Sequence, residues 1–194
     1  MQYFFIYSTF LGLIIFDVYI FYSLFSSKFG KTAPFVPTVG KQKRFIIEKA
    51  SEYISSADKK LKIVDMGSGA GGMLKSLAKK HPNHEFVGIE RDIFLYKYSI
   101  LTSKNLKNLT FIKDDFFNYD LKKTDIIICF TMPQLINNLT EKFFQEAKGA
   151  ILISHGEKFE KFQEICRSPK FKGWLREECF VYKISSTKDQ LPLS

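Results

Sequence analysis

Leu61-Lys62-Ile63-Val64-Asp65-Met66-Gly67-Ser68-Gly69-Ala70-Gly71-Gly72 is the stretch whose reading decides the fold. Leu61 to Asp65 is a short apolar run closed by an acid, which predicts a strand. The glycine-rich turn Met66 to Gly72 follows, and Met73 to Lys80 reads as a helix closed by His81-Pro82-Asn83. Gly67, Gly69 and Gly72 match a bare Gly-x-Gly-x-x-Gly, a weak signal alone. Glycines there let the backbone take positive φ and approach a ligand closely.

Strands and helices alternate outward from this loop. Glu85 to Glu90 is a second strand, and Asp92 is placed to cap a helix running to about Ser103. Leu109 to Ile112 is a third strand, and Asp125 to Phe130 a nearly all-apolar fourth, as a buried parallel strand should be. Gln134 to Lys148 is predicted helical, Ala150 to Ser154 is a fifth strand, and Glu157 to Arg167 is read as another helix. Phe171 to Ile184 reads as a closing antiparallel hairpin, with Trp174 and Tyr182 in core or pocket wall. The expected fold is α/β: a Rossmann-like, open, mostly parallel seven-stranded sheet with helices on both faces.

Charge selects among the ligands such a loop can hold. A dinucleotide brings a pyrophosphate, which favours bare N–H groups and a helix N-terminus. Here Asp65 stands immediately before the glycine turn. Two unit charges about 4 Å apart interact by roughly 4 kcal/mol at an effective dielectric near 20, so an acid there opposes a phosphate and favours a cation. S-adenosyl-L-methionine carries a sulfonium and an ammonium and no phosphate. Glu90 ends the second strand, where its carboxylate can accept from ribose hydroxyls, and Arg91 follows it. Asp115 follows the third strand, placed to accept from an adenine amino group with Phe116 as an apolar wall. The candidate cofactor residues are therefore Asp65, Gly67, Ser68, Gly69, Gly71, Glu90, Arg91, Asp115 and Phe116. No catalytic Tyr/Lys or His/Asp pair favours a nicotinamide dehydrogenase.

The N-terminal part differs in kind. Tyr3 to Phe25 is rich in Phe, Ile, Leu and Tyr and carries one charge, Asp17. About 20 apolar residues span a bilayer, so residues 1–27 are expected to be a transmembrane anchor. A central acid costs about 2.5–3.5 kcal/mol, which the apolar residues offset. Asp17 is either a protonated or snorkelling carboxyl or a contact to a partner within the bilayer. Lys28, Lys31, Lys41, Lys43 and Arg44 follow, so the positive-inside rule predicts a single-pass protein with its catalytic body in the cytoplasm. The competing reading is an apolar helix buried in a soluble dimer. Residues 28–40 read as a linker containing Pro34-Phe35-Val36-Pro37, which the prolines hold extended. Phe35 is either a flap over the site or a packed linker residue. Thr38 is a natural N-cap for a helix from Val39 to Ser55, and 41–194 forms one domain.

Composition narrows the function classes. Of 194 residues 45% are hydrophobic and 25% charged, which excludes global disorder. Cys129, Cys166 and Cys179 are odd in number and lack Cys-x-x-Cys spacing, which argues against a disulfide scaffold or a zinc ribbon. His81 and His84 have no nearby third ligand for zinc, and His155, after the fifth strand, is either a loop histidine or a residue that approaches the site. The net charge of +9 suits an anionic membrane surface or RNA.

At the glycine loop and the strand-end acids the chain resembles the class I S-adenosylmethionine-dependent methyltransferases, over roughly 60–185. With Pro34 to Thr38 and Phe130-Thr131-Met132-Pro133-Gln134-Leu135 added, it resembles the membrane-anchored protein-lysine N-methyltransferases. That family includes the mitochondrial enzymes acting on the ATP synthase c subunit and on the adenine nucleotide translocase, and has prokaryotic relatives. The chain departs from it at Ala70, where the family usually has an acid or Asn, and at Arg91-Asp92, where it often has a short Asn-Pro turn. The resemblance implies methylation of a lysine on a membrane protein. Thr131 and Met132 would then present carbonyls to the amine, Pro133 would stiffen the turn, Gln134 would add a contact and Phe35 would close the channel. The plainer reading of Thr131 to Gln134 is a strand-to-helix turn with Pro at the first helical position. No Asp/Asn-Pro-Pro-Tyr box follows the fourth strand, which disfavours adenine or glutamine-amide methylation. The alternatives are an RNA methyltransferase, with nucleic acid disfavoured as a partner, and a non-catalytic membrane-anchored binding module.

Overall fold

The computed structural model describes residues 40–170 and 178–185. The element order is α1 (Gly40–Ser55), β1 (Lys62–Met66), α2 (Gly72–Lys80), β2 (Glu85–Glu90), α3 (Ile93–Leu101), β3 (Leu109–Lys113), β4 (Ile126–Thr131), a 3₁₀ turn (Pro133–Leu135), α4 (Ile136–Glu146), β5 (Ile151–Gly156), β6 (Gln163–Arg167) and β7 (Cys179–Lys183). The seven strands lie in the order β3-β2-β1-β4-β5-β7-β6. β1 to β5 run parallel, and β7 is antiparallel to both β5 and β6. The order reverses between β1 and β4, which opens a crevice at their carboxyl ends, where open α/β sheets bind ligands.

Two apolar layers sandwich the sheet because alternate residues of each strand point to opposite faces. Ile63, Phe86, Phe111, Ile126, Ile128, Ile153 and Val181 face Ile46, Ala50 and Ile54 of α1 and Leu74 and Leu77 of α2. Val64, Met66, Val87, Ile127, Leu152 and Tyr182 face Leu139 and Phe143 of α4. Truncating a fully buried Phe such as Phe143 costs about 3–5 kcal/mol. Asp92 caps α3 as its residue type predicts: Oδ1 accepts from the Phe94 and Leu95 N–H groups, each at 2.9 Å.

The C-terminal part corrects the sequence reading twice. The helix expected over 157–167 does not form: residues 163–167 are the edge strand β6, the first arm of the hairpin, which thus begins before 171. Its exposure alternates, with Gln163, Ile165 and Arg167 outward and Glu164 and Cys166 half-buried, and β7 supplies the hydrogen bonds that a helix would have made internally. Phe159 and Phe162, three apart as on a helix, instead anchor an irregular segment against Phe143 and Tyr182. The Phe159 N–H donates to the Tyr182 hydroxyl at 3.1 Å. His155 is also not a loop residue: it lies in β5 and is only 2% exposed.

Among the described residues no helix is long and apolar enough to cross a membrane. The anchor expected over 1–27, the linker with Phe35, the Thr38 cap and Trp174 all lie outside the described residues.

Candidate active site

The glycine loop connects β1 to α2 at the carboxyl edge of the sheet. Three of its residues take positive φ, Gly67 at 91°, Gly69 at 55° and Gly71 at 71°. Side chains rarely tolerate that region, so the local sequence dictates the turn. The loop hangs on β2: the Gly67 and Ser68 N–H groups both donate to the Ile89 carbonyl, at 3.0 and 2.9 Å. At Gly71 an added Cβ would overlap the Phe111 ring. At Gly67 it would meet nothing within 4 Å, so that side of the loop is open.

Sequence reasoning missed Gly88. A Cβ there would lie 2.6 Å from the Phe111 ring and 2.7 Å from Ser68 Oγ, so the loop and β3 close over this position only because it is glycine. A glycine inside an apolar strand was the available signal.

The strand-end acids have distinct roles. Glu90 ties the loop to the start of α3: Oε2 accepts from the Gly69 N–H and Oε1 from the Asp92 N–H, both at 2.7 Å. Burial pushes its pKa up, and these backbone donors pull it back. Each oxygen keeps a further lone pair for a ligand hydroxyl. Asp65 is only 4% exposed, and among the described residues no donor hydrogen-bonds its carboxylate. Burial, with the Glu90 charge adding to it, raises the Asp65 pKa to about 7. A buried carboxylate without a donor is costly unless a ligand supplies the complementary charge. Ser68 Oγ is likewise buried without a hydrogen-bond partner among the described residues.

The outer residues form a looser rim. Asp115 Oδ1 accepts from the Phe117 N–H of its own turn at 3.0 Å, and Oδ2 lies 3.7 Å from Arg91 Nη1. One carboxylate oxygen is thus committed to the turn, and the other faces an exposed guanidinium. Phe116 is half-buried, with its ring 4.7 Å from that of Phe117.

At the neighbouring strand ends, the structure places Phe130 of β4 beside His155 of β5, with ring centres 5.2 Å apart. Both rings lie on the same face as Asp65, since Asp65 pairs with Ile128 and Phe130 is two residues further on. Burial lowers the His155 pKa to about 4, so the imidazole is uncharged at neutral pH. Sequence reading allowed His155 to approach the site but did not pair it with Phe130, because nothing in the spacing says that strands four and five are neighbours. Thr131 ends β4 opposite Gly156. The Met132 carbonyl accepts the Leu135 N–H at 2.9 Å, Pro133 opens the 3₁₀ turn, and Gln134 is exposed with its amide 3.9 Å from the Met132 sulfur. His81 and His84 serve the fold, bonding Ser51 Oγ at 3.0 Å and the Leu61 N–H at 3.2 Å.

The ANTKMT methyltransferase domain family matches residues 65–165, just over half of the chain. The chain belongs to this family. It is therefore a class I S-adenosylmethionine-dependent methyltransferase, and its cofactor is S-adenosylmethionine. The residues fit that cofactor: a buried carboxylate lacking a donor suits a cationic group, the orphaned Ser68 hydroxyl adds a polar contact, and the open face at Gly67 gives room.

Curated relatives are more distant. The carboxy-S-adenosyl-L-methionine synthase of Nautilia profundicola is 27% identical over 140 residues, covering 68% of this chain and 57% of that protein. The release factor glutamine methyltransferase of Buchnera aphidicola is 29% identical over 143 residues, covering 69% and 50%. The chain thus spans about half the length of these relatives. Among solved structures, an RNA methyltransferase from Salinibacter ruber in complex with S-adenosyl-L-homocysteine superposes with a TM-score of 0.67 at 20% identity, covering 82% of this chain and 98% of that one. That likeness concerns the fold.

Proposed function

We propose that this chain transfers a methyl group from S-adenosylmethionine to the side-chain amine of a lysine on a membrane protein. The observation that carries the reading is the Phe130–His155 pair beside the Pro133 turn, which gives the acceptor side an apolar, uncharged floor. S-adenosylmethionine, when bound, supplies a methyl group activated by its sulfonium.

An acceptor lysine has an ordinary pKa of about 10.4 and must arrive neutral to be nucleophilic. Desolvation against Phe130 disfavours the ammonium form. His155, whose pKa burial lowers to about 4, is uncharged at neutral pH and puts no negative charge on this floor that would hold the amine as a cation. The Met132 carbonyl spends one lone pair on Leu135 and keeps another with which to orient an amine proton. The Thr131 carbonyl, at the end of β4, is the second acceptor in this reading. Alignment of the amine by these groups is the main catalytic contribution, because methyl transfer gains most from positioning. No described side chain is assigned as general base, and the proton leaves to solvent.

The membrane acceptor follows from the apolar stretch Tyr3 to Phe25, which in this reading anchors the chain as a single-pass protein with the domain in the cytoplasm. The test is incubation of the full chain with radiolabelled S-adenosylmethionine and washed membranes, followed by peptide mapping. Methyl-lysine on a membrane protein is the expected product. Label in RNA or in glutamine amide would overturn the lysine reading, and relatives named for tRNA (guanine-N(7)-) and release factor glutamine methylation make both worth assaying.

A further inference from the structure

α3 carries an apolar stripe that the fold does not use. Phe94 is 69% exposed, Tyr98 54% and Leu101 62%, and their spacing of four and three residues puts them on one helical face. Of this helix only Ser99 is buried, and Tyr96 is a half-buried side chain packed against the core. An exposed strip of large apolar side chains on an otherwise well-buried domain marks an interaction surface.

The charge around the stripe says what it meets. From Ile93 to Lys113 the sequence contains Lys97, Lys104, Lys107 and Lys113 and no Asp or Glu. All four lysines are exposed, and among the described residues Lys97, Lys104 and Lys107 have no acidic partner. Lys75 lies over the Tyr98 ring at 5.3 Å and donates to Thr102 Oγ1 at 2.6 Å, adding a further cation beside the stripe. Phe94, Tyr98 and Leu101 on one face, with uncompensated lysines around them, combine apolar side chains that can enter a headgroup layer with positive charge that attracts anionic lipid. Each lysine near an anionic surface adds up to about 1 kcal/mol of attraction. A stacking surface for single-stranded nucleic acid would present aromatic faces, whereas Leu101 offers aliphatic surface.

We propose that α3 docks on an anionic lipid surface, with Phe94, Tyr98 and Leu101 entering the headgroup layer and Lys97, Lys104 and Lys107 pairing with lipid phosphates and carboxylates. This rests on the reading that the acceptor is a membrane protein, and extends it. Asp92, which caps α3, also donates its N–H to Glu90, so the docking helix starts at the cofactor end of the sheet. Docking would hold that end near the bilayer independently of any anchor elsewhere in the chain.

The experiment uses the full chain carrying Cys166→Ser, with an environment-sensitive fluorophore on Leu101→Cys or, as a control in the exposed turn before β6, on Glu160→Cys. It is mixed with vesicles of phosphatidylcholine containing about one-third phosphatidylserine, some with brominated acyl chains. The expected result is a blue shift and bromolipid quenching at position 101, absent at 160 and lost when Lys97, Lys104 and Lys107 are changed to Glu. An unshifted label at 101, a shift unaffected by the triple substitution, or one produced by polyuridylate or by raised protein concentration without vesicles would overturn the proposal. Quenching at 101 without lysine methylation would support docking and count against the acceptor reading alone.

Discussion

The Gly69 N–H donates to Glu90 Oε2 at 2.7 Å, so the glycine loop after β1 is held in place by the acid that ends β2. The other carboxylate oxygen takes the Asp92 N–H at 2.7 Å, which ties the start of α3 into the same arrangement. One side chain therefore shapes the glycine loop, and in the proposed site its remaining lone pairs are free for a ligand hydroxyl.

Glu90→Gln tests that dual role. The amide has one acceptor oxygen, so its NH₂ group faces one of the two backbone donors. A hydrogen bond to a charged group is worth about 1.5–3 kcal/mol, which predicts a 10- to 100-fold loss of S-adenosylmethionine affinity by calorimetry. Loss of less than threefold would show that Glu90 does not organise the site.

Asp65 predicts a pH dependence of both binding and stability. Its folded pKa of about 7 stands above the ordinary 3.8, so the folded chain holds a proton that the unfolded chain releases between those values. Stability without cofactor should fall as pH rises from about 4 to 7, by a few kcal/mol for the full shift. Asp65→Asn should remove that loss and melt higher than the parent at pH 8. In the proposed site the ionised carboxylate receives the cationic part of the cofactor, so affinity should rise by up to about tenfold per pH unit below pH 7 and level off above it. In Asp65→Asn the affinity should be weak and flat with pH.

His155 gives the opposite slope. Its folded pKa of about 4 lies below the ordinary 6.5, so protonation favours the unfolded chain and stability is lost as pH falls below 6.5. Thermal melts from pH 4.5 to 8 should show a His155→Phe variant losing less stability at the acid end than the parent does. Its kcat/KM should still fall, because a larger ring changes the acceptor floor beside Phe130.

Gly88→Ala separates sterics from backbone strain, because Gly88 is not among the glycines with positive φ. The new methyl would meet the Phe111 ring and Ser68 Oγ. Overpacking costs about 1–3 kcal/mol, or a fall of roughly 2–12 °C in Tm for a domain of this size. Adding Phe111→Leu should recover a large part of that fall. No recovery would place the cost elsewhere than in the Phe111 contact.

Much of the cofactor half was legible in the residues. A strand, a glycine turn and a helix over 61–80, with acids at Asp65, Glu90 and Asp115, are local features that depend on backbone freedom and on charge. The match to the structure is close for β2, and Asp92 caps α3 as read. The region from 157 onward misled because Phe159 and Phe162 have helical spacing, yet their partners Phe143 and Tyr182 are distant in sequence. The pairing of β6 with β7 is a long-range contact that local periodicity does not encode. Gly88 was legible in principle as a glycine within a strand, but its reason, the Phe111 ring of a neighbouring strand, was not.

The sequence alone carried the expectation of a positively charged ligand at the end of β1, because the sign of Asp65 and the freedom of the glycines are properties of the residues themselves. Only the tertiary structure decided that Asp65 is buried without a donor among the described residues, that Glu90 holds the loop, and that Phe130 and His155 meet at the neighbouring strand ends. Burial, desolvation and ring contacts arise when segments far apart in the chain become neighbours in one sheet, and no stretch of sequence contains that information locally.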